Sequence, residues 1–162
     1  IKQTFLAKQD ISGVKIKFDN LEHENNGQIT VTLVNEDDAK LEKEWKFDAS
    51  EINEVRYYEF ILDEPIRNSN EETEFSIKVT SNNETMENSP TINISDNDNY
   101  KEGTLYINGD AQSSDMCLKT ISPSSPFLNW IFISVAIVVI IFSGILYYIT
   151  IIKKLSIEKI FL

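Results

Sequence analysis

The chain of 162 residues holds one cysteine, Cys117, and one histidine, His23. A single thiol excludes an internal disulfide, so an exported domain built from this chain must be held by its core. A single imidazole, set between Glu22 and Glu24 in an acidic loop, excludes a His-based metal cluster. With the lone cysteine far along the chain, no cysteine–histidine pair is indicated either. His23 reads as a solvated loop residue, and Cys117 as a small strand residue beside Met116 and Leu118. Basic charge is scarce as well: residues 1–126 carry 12 Lys and Arg against 25 Asp and Glu. That balance argues against nucleic acid, whose phosphates require a basic surface, and against lying flat on anionic lipid. The last absence is the most informative. Residues 127–152 contain no charged side chain at all.

A helix needs about 20 apolar residues to cross a hydrocarbon core of about 30 Å, and residues 127–152 exceed that. The run is apolar on every face, which a core helix seldom is, and it predicts one transmembrane helix. Lys153 and Lys154 follow it directly. By the positive-inside tendency they place residues 153–162 in the cytoplasm and residues 1–126 outside the cell membrane; the single cysteine and the abundance of Ile, Lys, Asn and Glu suit an exported bacterial protein. Trp130 near the outer end, and Tyr147 and Tyr148 near the inner end, stand where interfacial anchors belong. An export signal is expected upstream, either removed or part of a longer chain, because no basic-then-apolar segment precedes Ile1. Ile160-Phe161-Leu162 turns apolar again and reads as the possible start of a second span, although a short amphipathic turn fits the same residues.

Residues 1–120 alternate with period two, the mark of strands with one buried face. Val14, Ile16 and Phe18 form one set, Ile29, Val31 and Leu33 the next, then Trp45 and Phe47. Tyr58, Phe60 and Leu62 follow, and after them Phe75, Ile77 and Val79. Shorter runs lie at Ile92/Ile94, Leu105/Ile107 and Met116/Leu118, and Thr4-Phe5-Leu6 is read as opening the series. Asn26-Gly27 and Asn108-Gly109 supply the positive φ angles of tight turns. Residues 48–53 lack alternation and fit a single helical turn. The pattern predicts an all-β ectodomain of eight or nine strands over residues 1–120, a jelly-roll-like β-sandwich; an immunoglobulin-type sandwich is the alternative, without its usual cysteine pair. Residues 121–126 form a Pro/Ser linker that two prolines stiffen, so the sandwich is expected close to the bilayer.

No catalytic constellation emerges, and this chain is not expected to be an enzyme. Carboxylates are plentiful, but a glycosidase pair requires two of them at a set separation across a cleft, which sequence does not supply. Asp96 and Asp98 in a polar loop are the one calcium candidate; the loop lacks the glycine and the terminal Glu of a helix–loop–helix site, and no cofactor is otherwise expected. Aromatic rings on the outward phase of strands offer a flat face to sugar rings. Tyr57 is out of phase with Tyr58, Tyr106 is out of phase with Leu105, and Tyr100 lies in a loop; these are the glycan-binding candidates, and the same residues equally well cover sheet edges.

Several strings, taken in order, carry a resemblance. They include Ile11-Ser12-Gly13-Val14-Lys15-Ile16-Lys17-Phe18, Tyr100-Lys101-Glu102-Gly103-Thr104-Leu105-Tyr106-Ile107-Asn108-Gly109 and Asp115-Met116-Cys117-Leu118-Lys119-Thr120. Residues 1–120 with the following span resemble the extracytoplasmic β-sandwich module of bacterial, chiefly Firmicutes, multi-spanning membrane proteins. Those proteins look like cell-envelope glycosyltransferases or polysaccharide-assembly proteins. The resemblance implies a membrane-anchored, non-catalytic binding or scaffolding module on the outer face of the membrane. Its expected partners are the lipid bilayer, envelope glycan and other membrane subunits or helices; any transferase activity would belong to a longer parent protein. The competing expectation is a structural or protein-interaction ectodomain of a single-pass surface protein.

Overall fold

In the computed structural model the described backbone covers residues 1–68, 72–83, 86–96, 100, 102–123 and 126–160, without the side chains of 86, 126–129, 131 and 152–160. The chain divides into two compact units, Ile1–Pro123 and Ser124–Leu162.

The first unit is built of strands: β1 (Lys2–Ala7), β2 (Ile11–Asp19), β3 (Gln28–Asn35), β4 (Lys40–Asp48), β5 (Arg56–Ile66) and β6 (Thr73–Ser81). Six short ones follow, β7 (Thr91–Ile92), β8 (Ile94–Ser95), β9 (Leu105–Ile107), β10 (Asp110–Gln112), β11 (Asp115–Met116) and β12 (Leu118–Ile121). One sheet has the order β10-β9-β1-β6-β3-β4; the second has β12-β2-β5, with β7 also on β2; β11 and β8 form a separate pair. The pairings are antiparallel. The chain crosses between the two large sheets after β1, β2, β4 and β5, so each sheet is stitched from strands distant in sequence. This is the expected jelly-roll-like habit.

The alternating apolar sets fill the space between the sheets. Val14, Ile16, Phe18 and Phe60 of the smaller sheet, and Phe5, Ile29, Val31, Leu33, Phe75 and Ile77 of the larger one, are buried. Aromatic rings join the layers: Phe18 and Phe60 of the smaller sheet meet Phe47 of β4 at 6.3 and 5.7 Å. Two local irregularities depart from simple alternation, and the second adds a strand. At Gly13 the β2–β5 register shifts, and a Cβ there would fall 2.5 Å from the Phe60 carbonyl oxygen. The bulge resets the alternation, so Ile11 and Val14, three apart, both face inward. Asn93 splits the Ile92/Ile94 run. Its N–H donates to the Lys17 carbonyl (3.0 Å) and its carbonyl accepts from the Cys117 N–H (2.9 Å), so Ile92 pairs with Phe18 and Ile94 with Met116.

Turns follow the sequence chemistry. Asn108 and Gly109 both have positive φ (54° and 95°) and join β9 to β10, and Gly27 has φ 85° before β3. Ala49–Glu51 is a 3-10 turn capped by Asp48, whose carboxylate accepts from the Ser50 N–H while Glu51 reaches back to the Asp48 N–H.

Strands β4 and β5 end their sheets, and both lie along one side of the sandwich. Edges of this kind invite pairing with another chain unless charged or covered. On β4, Lys40–Glu42 and Lys46–Glu44 ion pairs run along the strand. Between the edges, the Trp45 indole N–H donates to the Ile61 carbonyl (3.1 Å), and Lys43 pairs with Asp63.

The second unit is one helix, α1 (Pro126–Ile160). Its stretch Phe132–Ile151, with mean hydropathy 2.6 and none of its residues buried, is long and apolar enough to cross a membrane. The Ser143 and Thr150 hydroxyls donate to the Val139 and Leu146 carbonyls at 2.8 Å, four residues back, so neither needs water. The helical backbone continues through Lys153 and Lys154 to Ile160 without a break. Residues 161–162, expected at the start of a second span, lie outside the described residues.

Candidate functional site

Because Phe5, Leu33, Phe75 and Ile77 turn inward, their neighbours along β1, β3 and β6 turn outward onto the exposed face of the larger sheet. The register aligns these neighbours in rows. Thr32 pairs with Lys78, Lys78 with Lys2, and Lys2 with Tyr106, so Thr32–Lys78–Lys2–Tyr106 runs straight across four strands. Val34–Ser76–Thr4 forms the row on one side of it, and Thr30–Thr80 lies on the other. Above these rows lies a groove of about 830 Å³, whose walls include Thr4, Thr32, Ser76, Lys78 and Tyr106.

The floor is rigid at one end. The Glu36 carboxylate accepts from the Lys2 ammonium (2.8 Å) and the Ser76 hydroxyl. Lys2 first, and Ser76 second, hold the Glu36 carboxyl below the usual carboxylate range. Thr4 accepts from the Thr104 N–H at 2.9 Å. These contacts bury Thr4 and Ser76 although they face away from the core. The groove thus combines fixed hydroxyls, two ammonium groups and one half-buried aromatic ring. The described residues of the groove include no nucleophile–base pair.

Of the three tyrosines marked from sequence, only Tyr106 lines this groove. Tyr57 lies on the smaller sheet, with the Lys119 ammonium 4.4 Å from its ring centre. It lines a separate trough of about 540 Å³ between β4 and β5, together with Trp45, Phe47, Tyr58 and Phe60. Tyr100 lies in a loop, as expected, and is half-buried against the core. Its ring packs 6.0 Å from Phe5, and its hydroxyl donates to the Leu118 carbonyl at 2.8 Å. Burial, and then the Asp115 charge, push its hydroxyl up to about 12.

Asp96 is exposed, while Asp98 lies outside the described residues. Among the described residues no group of three or more His, Cys, Asp or Glu side chains could hold a metal ion. His23, expected in solvent, is half-buried with Nδ1 enclosed; Cys117 is a half-buried free thiol. On α1, Trp130, Tyr147 and Tyr148 are 69, 70 and 66 % exposed. Lys153 and Lys154 belong to its backbone, their side chains lying outside those described.

Sequence reasoning missed Lys2, Lys78 and Ser76 as site residues. It also missed a buried polar cluster behind the groove. The Gln3 side chain donates to Asp115 Oδ1 (2.9 Å) and accepts from the Met116 N–H (2.9 Å), while the Tyr100 N–H donates to Asp115 Oδ2 (2.8 Å). The outward phase of the alternation was the one available signal for the lysines. No model of a known protein family matches the chain, and neither a curated protein nor a solved structure shows significant similarity to it.

Proposed function

We propose that the chain is a membrane-anchored, non-catalytic glycan-binding module on the outer face of a bacterial membrane, serving a larger envelope glycan-assembly protein. The groove over the six-stranded sheet is the observation that carries this reading. A sugar presents a flat apolar ring face and a rim of hydroxyls. Tyr106 supplies an aromatic surface for the first, and Thr32, Thr80 and the two lysines supply hydrogen-bond partners for the second. Such a shallow site suits weak, repeated contact with a polymer. The apolar helix supports the anchoring, and Lys153-Lys154 support an outward-facing sandwich.

The test is titration of the full chain, held in nanodiscs, with purified envelope polysaccharides while amide resonances are followed. Shifts should concentrate at Thr32, Lys78 and Tyr106, and Tyr106→Ala should weaken binding about tenfold, as loss of one stacking contact would. Silence across the panel would sink the proposal.

The trough between β4 and β5 favours a second reading, an ectodomain that meets a protein partner. Strand β5 is eleven residues long and, among the described residues, has a sheet neighbour only in β2. An extended segment could pair along its free edge and place a side chain among Phe47, Tyr58 and Phe60. Tyr57→Lys would then abolish capture of that partner while leaving glycan titrations unchanged.

A further inference from the structure

The groove holds an arrangement that folding alone does not favour. Lys2 and Lys78 are directly opposite on neighbouring strands and on the same face, where side chains stand about 5 Å apart and like charges repel. Acids are abundant enough to neutralise both, since residues 1–126 carry 25 of them against 12 bases. Elsewhere Lys8, Lys15, Lys40, Lys43 and Lys46 each hold a carboxylate, and Lys119, opposite Lys15 on the other sheet, lies over the Tyr57 ring. Here Glu36 neutralises Lys2. Among the described residues no carboxylate reaches Lys78, which projects into the groove one strand from Lys2 and two from Tyr106.

The other acid of the groove, Glu74, does not cancel this charge. It lies four residues from Lys78 along β6, about 14 Å at strand rise. That exceeds the screening length of about 8 Å at physiological salt. Glu36 is engaged by Lys2 and Ser76, and Glu74 stands at the far end, so the charge left without a carboxylate in the middle row is that of Lys78.

We infer that the groove takes an acidic glycan, a sugar bearing a carboxylate or phosphate seated on Lys78 and Lys2 with its ring against Tyr106. The inference rests on the glycan-binding reading and names its ligand class. The bound anion gives Lys78 the counter-charge that Glu36 gives Lys2, so binding strengthens with ligand charge, weakens with salt, and keeps neutral polymers as poor competitors.

The probe pair is a galacturonic acid hexamer and its fully methyl-esterified form, which share one backbone and differ only in charge. Both are titrated calorimetrically against the full chain in phosphatidylcholine nanodiscs, beside inorganic tripolyphosphate as an anion without a sugar. The acid should bind at least about tenfold tighter than the ester, the worth of one charge-assisted contact. Lys78→Met should erase that preference and Lys78→Arg retain it. Lys17→Met, which alters a lysine on the outer face of the other sheet, should leave it intact. Equal affinity for acid and ester would overturn the inference while the glycan reading stands. Tripolyphosphate binding as tightly as the acid would also overturn it, by reducing the site to a bare anion patch. Binding of none of the three would remove the glycan reading together with the inference.

Discussion

Replacing Tyr100 by phenylalanine removes one hydroxyl and keeps the ring against Phe5. Below pH 9 the change costs the hydrogen bond to the Leu118 carbonyl, about 1 kcal/mol. At higher pH the sign turns. The Tyr100 hydroxyl titrates at about 12 in the fold, raised by burial and then by Asp115, against an ordinary 10.0. A raised folded pKa means that the neutral form is favoured in the native state. Its contribution is complete below pH 10 and is lost as pH climbs from 10 to 12. Two units correspond to about 2.7 kcal/mol, and partial exposure of the residue reduces this to about 2 kcal/mol. Wild type should therefore exceed Tyr100→Phe by about 1 kcal/mol at neutral pH, match it near pH 11 and fall below it by about 1 kcal/mol near pH 12. Urea midpoints of the full chain in zwitterionic detergent, read from Trp45 emission, measure the difference between the two proteins, so other titrations cancel. A difference that stays constant from pH 9 to 12 would refute the placement of this hydroxyl.

Three further outcomes are expected. Gly103→Ala should destabilise the sandwich by about 3 kcal/mol, since the new Cβ would fall 2.1 Å from the Thr4 carbonyl oxygen, a backbone atom that has little room to yield; thermal unfolding measures it, and an unchanged midpoint would reject the close approach. Glu36→Gln should flatten the acid limb of the stability curve. The wild-type carboxyl is held below its ordinary 4.5 by Lys2 and Ser76, so its contribution is full above that value and is lost as pH falls below it; urea midpoints at a series of acid pH values test this. Trp45→Phe should cost about 1 kcal/mol through loss of the bond to the Ile61 carbonyl, and should speed amide exchange along the neighbouring edge of β5.

What the sequence revealed and what it concealed divide along a physical line. Period-two alternation is local, so Val14/Ile16/Phe18, Ile29/Val31/Leu33 and Phe75/Ile77/Val79 were legible as inward faces, and each is buried. The Asn108-Gly109 turn was legible because its φ angles are a property of two adjacent residues. The charge-free helix was legible because lipid imposes a length and a composition. The groove is of another kind. Its central row joins residues 2, 32, 78 and 106, which only register brings together. The packing of Tyr100 was illegible for the same reason: its place in a loop reveals nothing of Phe5 and Leu118, the groups it meets.

Register itself has a source that a reading of apolar periodicity overlooks. A slip of two residues between β1 and β6 would keep every inward side chain inside. It would also set Lys2 opposite Ser76 or Thr80 and dissolve the paired lysines. Apolar burial alone distinguishes these registers weakly, so polar contacts must do it. Gln3 is fully buried on β1, with its amide shared between Asp115 and the Met116 N–H, and Thr4 receives the Thr104 N–H through its side chain. A slip made by moving β1 would also shift it against β9 and β11, withdrawing both and leaving the buried Asp115 carboxylate without the Gln3 donor, at a cost of several kcal/mol, on the order of two lost bonds to buried polar groups. Gln3 and Asp115 interrupt an otherwise apolar core, yet they fix the alignment on which the surface row depends. The polar residues inside the sandwich thereby determine which polar residues meet outside it.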